Sequence, residues 1–139
     1  MKSKVLFLCT GNSARSQMAE AIVNARLSES WEAFSAGTRP AGFVHPLTVR
    51  LLAEIGIPHA GRSKSADEFR EIPFDLVVTV CDDAAKECPV WLGSGRYVHL
   101  GFPDPATAQG TEAERMDVFR RMRDEIARQV PALLQRIVT

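Results

Sequence analysis

The chain has 139 residues, 45% of them hydrophobic, with 17 Lys and Arg balanced by 17 Asp and Glu. That length and composition describe a single globular domain over 1–139, large enough to bury its own core, and they exclude disorder and collagen-like structure. Zero formal net charge excludes a broadly basic nucleic-acid face and a polybasic membrane anchor, but it leaves room for a small local anion site.

In chain order, Val5 to Leu8 is a short apolar run. It is far below the roughly 20 residues of a membrane span and lacks the features of a signal peptide, so it reads as a strand buried on both faces. Cys9 to Ala14 is a polar loop. Ser16 to Leu27 has helical spacing, with Met18, Ala21, Ile22 and Ala25 on one face. Trp31 to Ser35 is a second strand, ended by Gly37 and Pro40. Pro46 opens a helix with Val49, Leu52 and Ala53, and Gly56 stops it. Ser65-Ala66-Asp67-Glu68 is a capping box for a short helix. Phe74 to Val80, rich in β-branched residues, is the strongest strand and delivers Cys81. The segment between Cys81 and Cys88 carries helix-forming residues. Arg96 to Leu100 is a weaker strand. Thr111 to Glu114 is a second capping box, opening a helix to about Gln129 that buries Val118, Met122, Ile126 and Phe119, and Pro131 should kink or restart it.

The alternation predicts an α/β fold: a four-stranded parallel sheet flanked by helices on both faces. Such sheets bind ligands beyond the carboxyl ends of their strands. Cys9 and Cys81 both follow strand runs, which puts them on that edge.

The segment Cys9-Thr10-Gly11-Asn12-Ser13-Ala14-Arg15-Ser16 sits between a strand and a helix. Consecutive backbone N–H groups in such a loop form an anion cradle, and the helix N-terminus adds to it. Gly11 permits unusual backbone angles and Asn12 tolerates left-handed ones. Arg15 offers a two-pronged donor to a tetrahedral oxyanion. The same field favours the thiolate of Cys9, and Ser16 is placed to donate to its sulfur. A cysteine ending a buried strand is most often an inert small hydrophobe. The full string Cys-x-Gly-Asn-x-x-Arg-Ser in this setting is far more specific than any one of its members.

The stretch from Leu8 through Glu20 resembles the low-molecular-weight protein tyrosine phosphatase superfamily, and within it the arsenate reductases coupled to thioredoxin. The similarity runs along the chain through Ser35-Ala36-Gly37, Asp75 to Thr79, Cys81, Cys88, Gly101-Phe102, Asp104-Pro105-Ala106, Ala108 to Glu112, and Arg123 to Ile126. The resemblance implies that Cys9 is the nucleophile and that Arg15 and the loop amides of Thr10, Gly11, Asn12, Ser13, Ala14 and Ser16 bind the oxyanion. It also implies that Ser16 supports the thiolate and that Asp104 is the general acid. In the phosphatases the Asp-Pro is commonly followed by Tyr, but here Ala106 follows, which favours a small inorganic substrate. Ala14 replaces a cysteine common in this loop.

Asp104 has a chemical role available: a thiolate attacking an oxyanion expels an oxygen that leaves easily only when protonated. Cys81 and Cys88 have one too. Reducing As(V) to As(III) takes two electrons, which two thiols supply on becoming a disulfide. Were the linker helical, two turns would hold the backbones about 10.5 Å apart, beyond the roughly 7 Å limit for a disulfide, so bonding requires rearrangement. The odd count of three cysteines does not suit a disulfide framework and points to reduced thiols in the cytoplasm. His45, His59 and His99 lack ligand-like spacing, so no metal site is read.

The expected partners are arsenate, phosphate or sulfate as competing anions, and thioredoxin as reductant, with the protein a monomer and no tightly bound cofactor. In related reductases a potassium ion sits behind the loop, held by residues resembling Asn12, Glu20, Ser35 and Ser63. The acidic partner there aligns with Ser65, beside Lys64, which weighs against the ion. Lys64 reads either as a solvated surface lysine or as the occupant of the cation's place. Two rival functions are a phosphatase acting on phosphotyrosine or small phosphate esters, and a non-catalytic oxyanion-responsive module. The cysteine pair argues against the first, and Arg15 with Asp104 against the second.

Overall fold

A continuous apolar run, buried on both faces, puts the first strand inside the sheet. In the computed structural model, which describes residues 2–81, 95–105 and 108–138, β1 (Ser3–Cys9) lies between β2 (Trp31–Gly37) and β3 (Leu76–Thr79). β4 (Arg96–His99) forms the edge beyond β3, and every pairing is parallel. Parallel pairing requires crossovers. The first is α1 (Arg15–Arg26), joining β1 to β2, and α2 (Pro46–Glu54) and a 3-10 helix (Ala66–Phe69) lie between β2 and β3.

Successive β1 side chains point to opposite faces. Val5 and Phe7, with Val78 of β3, join the core under α1, α2 and the last helix, α3 (Glu112–Val138). Leu6, Leu8 and Val77 face the other way and are covered by the 3-10 helix with Phe69 and Phe74. Both faces are thus covered by helical elements, with the three α-helices of the described residues on one of them. The expected helical segment between Cys81 and Cys88 lies outside the described residues.

Several boundaries shift for tertiary reasons. The strand expected from Phe74 to Val80 spans only Leu76–Thr79, because Phe74 turns aside to pack edge-on against Phe34, 5.5 Å between centroids. The buried side of α2 is Leu47, Leu51 and Leu52, while Val49 is exposed: the helix presents the face one residue earlier than expected. Gly56 ends it in the left-handed region, φ 80°. Ser65 caps the 3-10 helix by accepting from the Asp67 N–H. Thr111 and Glu114 form the reciprocal capping box, each backbone N–H donating to the other's side chain at 3.1 Å. α3 runs through Pro131 without restarting. The fully buried Val130 and Leu134 flank the proline and continue the stripe of Phe119, Met122 and Ile126. That burial offsets the hydrogen bond the proline cannot make. Phe119 rather than Val118 carries the N-terminal part of the stripe.

α2 and α3 are clamped by charge. Arg123, largely buried, donates to Leu51 O and to Glu54 Oε1, and Arg120 donates to both carboxylate oxygens of Glu54. These hydrogen bonds hold the Glu54 carboxyl at about 2, down from 4.5. A carboxyl depressed on folding favours the folded state above its unfolded value and loses that contribution as pH falls through the folded one. Glu54→Gln therefore lowers the thermal midpoint at pH 7, and the difference from the parent closes as pH falls from 4.5 toward 2. Calorimetry across that range checks it, and a pH-independent difference would remove the clamp.

Candidate active site

The carboxyl ends of β1 and β3, and the loop leaving β4, meet at one edge of the sheet. Cys9 closes β1, and α1 begins at Arg15. The turn between them has its carbonyls engaged on its outer side. Thr38 N–H donates to Cys9 O, Arg39 N–H to Thr10 O, Ala41 N–H to Gly11 O and His45 N–H to Ser13 O. Gln17 Nε2 donates to Asn12 O. A planar trans peptide points its N–H opposite its C=O, so the N–H groups of Thr10, Gly11, Asn12, Ser13 and Ala14 turn inward. No side chain caps α1, which leaves its first N–H groups facing the same hollow. Backbone donors thus make an anion cradle without any surplus of basic residues.

The Cys9 thiol is free and buried at the base of this cradle. Its sulfur lies 2.9 Å from Ser16 Oγ and 3.2 Å from the Asn12 N–H. Arg15 is buried beside it, donating to Phe102 O at 3.2 Å and lying 3.7 Å from Asp104 Oδ2. Asp104 is half-exposed. Thr10 Oγ1 is buried with no hydrogen-bond partner among the described residues. At the mouth, His45 caps α2 by accepting the Leu47 N–H on Nδ1. Burial and the Arg115 charge lower its pKa against the opposing pull of Asp104, which keeps that nitrogen free to accept.

Cys81 is buried and follows β3 by two residues. β3 is hydrogen-bonded to β1, with Leu8 opposite Thr79 and the Val80 N–H donating to Leu8 O. Cys81 is in a disulfide while Cys9 is not. Cys88 and Ala106 lie outside the described residues. His99 is structural: its Nδ1 is 2.7 Å from Thr79 Oγ1, across the β3–β4 pair.

The model of the family described as low molecular weight phosphotyrosine protein phosphatase matches residues 4–139. The chain belongs to that family. Among curated relatives of this phosphatase-family chain, an arsenate reductase of Halalkalibacterium halodurans is 45% identical over 130 residues, 93% of each chain. Among solved structures, an arsenate reductase in the oxidised state superposes with a TM-score of 0.80 at 28% identity, covering 99% of both chains. A thioredoxin-dependent arsenate reductase of Corynebacterium glutamicum superposes with a TM-score of 0.68 at 26% identity, covering 98% of this chain and 62% of the other.

Two glycines, one in this phosphatase-family loop and one packed against it, differ in what they require. Gly11 is not in the left-handed region, and a Cβ there would meet only ordinary contacts at 3.6 and 3.8 Å. The left-handed angle belongs to Asn12, φ 51°. Gly37, at the end of β2, is the demanding position: a Cβ would collide with Thr10 O and press Asn12 N and Cβ at 3.1 Å. The signal available beforehand was a glycine ending a buried strand, which marks close backbone approach, but the sequence does not name what approaches. Gly37→Ala should push the cradle out of register, with kcat at the Cys9 loop falling about a hundredfold while the fold survives. Steady-state kinetics beside circular dichroism decides it, and an unaltered kcat would mean the loop yields without cost.

Behind the loop, Lys64 is buried, not solvated. Its Nζ donates to Arg62 O at 2.8 Å and to Ser35 Oγ at 3.4 Å, and lies 3.8 Å from Glu20 Oε1. Ser35 Oγ donates to Glu20, Ser63 Oγ donates to Gly11 O, and the Lys64 N–H donates to Asn12 Oδ1. Burial lowers the Lys64 pKa and Glu20 opposes that shift. Among the described residues, no helix is long and apolar enough to cross a membrane.

Proposed function

We propose that this protein reduces arsenate to arsenite through Cys9, Cys81 and Cys88, with thioredoxin restoring the dithiol. The observation that carries the reading is the thiol state at one sheet edge: Cys9 free in an oxyanion cradle, and Cys81, on the adjoining strand end, already oxidised. With three cysteines in the chain, the reading assigns Cys88 as the partner of Cys81. The similarity to arsenate reductases over most of the chain supports the substrate, and the thioredoxin-dependent relative supports the reductant.

In this scheme arsenate is held by the loop N–H groups, the Thr10 hydroxyl and Arg15. The Cys9 thiolate forms a sulfur–arsenic bond while Asp104 gives its proton to the departing oxygen, which leaves as water. The Cys81 thiolate then attacks the Cys9 sulfur. The new sulfur–sulfur bond forms as the sulfur–arsenic bond breaks, its electron pair stays on arsenic, and arsenite departs. The Cys88 thiolate attacks Cys81, which frees Cys9 and leaves a Cys81–Cys88 disulfide. A thioredoxin dithiol takes up that oxidation by exchange. Phosphate and sulfate, also tetrahedral oxyanions, compete for the cradle. All of these groups come from one chain, consistent with a monomeric enzyme.

No potassium ion belongs in this scheme. The Lys64 ammonium already stands among Glu20, Ser35 and the Arg62 carbonyl, so a second cation there would face like charge. Exchanging potassium for sodium at constant ionic strength should leave kcat and KM unchanged, and strong potassium activation would contradict the assignment.

The deciding experiment couples the protein to thioredoxin, thioredoxin reductase and NADPH, beside an aryl-phosphate hydrolysis assay. Sustained arsenate-dependent NADPH consumption is expected. Aryl-phosphate turnover without it would replace the reading by the hydrolase.

A further inference from the structure

We infer that His59 is a positioning residue for the nucleophile, acting through a one-directional hydrogen-bond chain, His59–Gln17–Asn12–Ser16–Cys9, that passes through space left open by Gly61. The links are 2.7 Å from His59 Nε2 to Gln17 Oε1, 3.0 Å from Gln17 Nε2 to Asn12 Oδ1, 2.7 Å from Asn12 Nδ2 to Ser16 Oγ and 2.9 Å from Ser16 Oγ to Cys9 Sγ.

Groups that can only donate or only accept fix the direction of the first three links, and the thiolate form of Cys9 fixes the last. Asn12 Oδ1 receives the Lys64 backbone N–H at 2.8 Å, so that atom is the oxygen and the Asn12 amide NH2 faces Ser16. Ser16 Oγ therefore accepts from Asn12, and toward the Cys9 thiolate, which can only accept, it donates its single proton. Gln17 Nε2 lies against two carbonyls, Arg62 O at 2.8 Å and Asn12 O at 3.1 Å, so its oxygen faces His59. His59 must then carry hydrogen on Nε2. All four donors point toward the sulfur, and such chains polarise one another in the direction that favours charge on the terminal acceptor. The charged groups bearing on the ring are Glu20 and Lys64, and burial lowers the His59 pKa. The Nε2 hydrogen is present in the neutral tautomer required here and in the imidazolium alike.

Gly61 makes the first link sterically feasible. A Cβ at that position would stand 2.5 Å from His59 Nε2 and 2.6 Å from Gln17 Oε1. The nearest atoms are all side-chain ends, so Gly61→Ala displaces them without meeting backbone and cuts the link while sparing the fold.

The inference deepens the reading of Cys9 as nucleophile, and its test needs no arsenate. In the oxidised protein Cys9 is free and Cys81 is not, so iodoacetamide alkylation of Cys9, located by peptide mass, can be followed against pH together with thiolate ultraviolet absorbance. His59→Phe keeps a ring and removes the donor. Gly61→Ala keeps the donor and displaces it. Each should move the alkylation profile to higher pH and slow the reaction at pH 7 about three- to tenfold. His59→Gln, which retains an N–H at similar reach, should stay within about twofold of the parent. The double variant His59→Phe/Gly61→Ala should be no slower than either single variant, since both cut one link. A parental profile in folded His59→Phe, or multiplying losses in the double variant, would overturn the inference. Either result would leave the reductase reading standing, because that reading is judged by arsenate turnover.

Discussion

On the proposed relay, a Cys88→Ser protein is expected to release one arsenite per molecule and then stop, with Cys9 and Cys81 joined. Removing Cys88 leaves sulfur–arsenic bond formation and the attack of Cys81 intact, so the first turnover proceeds at the parental rate. What is lost is the exchange that returns Cys9 to a thiolate. The steady-state rate falls to background because thioredoxin cannot readily reach the trapped bond: Cys9 is 2% exposed and Cys81 fully buried. Exchange requires an attacking thiolate to approach the disulfide sulfur directly. Counting arsenite per protein and mapping the disulfide by peptide mass checks both halves of the expectation. Repeated turnover with thioredoxin would mean that the third cysteine is dispensable.

Asp104→Asn separates chemistry from binding. In the proposed mechanism Asp104 protonates the departing oxygen; asparagine keeps the size and polarity of the side chain but has no acidic proton, so kcat for arsenate is expected to fall about 10²- to 10⁴-fold, the usual contribution of a positioned acid. The KM moves differently. Asp104 Oδ2 lies 3.7 Å from the Arg15 guanidinium, where a carboxylate competes with a bound oxyanion for the same cation. Neutralising it frees Arg15 for the substrate, so KM stays level or falls. A kcat within tenfold of the parent would remove Asp104 from proton transfer, and a raised KM with an unchanged kcat would make it a binding residue only.

The parts of this protein that were legible in its sequence are those whose physics is local. The Val5–Leu8 run and the β-branched Leu76–Thr79 segment declare strands by composition, and their ends place Cys9 and Cys81 on one edge. Thr111 and Glu114 declare a helix start because their hydrogen bonds span three residues. The loop from Cys9 to Ser16 is also local, and its contacts at Ser16 and Asn12 join residues seven and three apart. Where local rules compete, tertiary packing decides. Pro131 reads as a kink or restart until Val130 and Leu134 are seen buried on the same stripe, and the α2 face shifts by one residue because Leu47 and Leu51 join the core beneath α3.

Composition, periodicity and one motif by themselves determined the α/β class, the sheet edge that carries the chemistry, and an oxyanion loop with a cysteine at its base. The tertiary structure alone decided what holds that loop. Gly37 must lack a side chain because Thr10 lies against it, Lys64 is buried because Glu20 and Ser35 receive it, and His59 reaches Gln17 because Gly61 leaves room. Each of these contacts joins distant parts of the chain, as Lys64 and Asn12 do across 52 residues. Residue type and spacing carry no record of which distant backbone will close on which, because that is set by packing two crossovers against one twisted sheet.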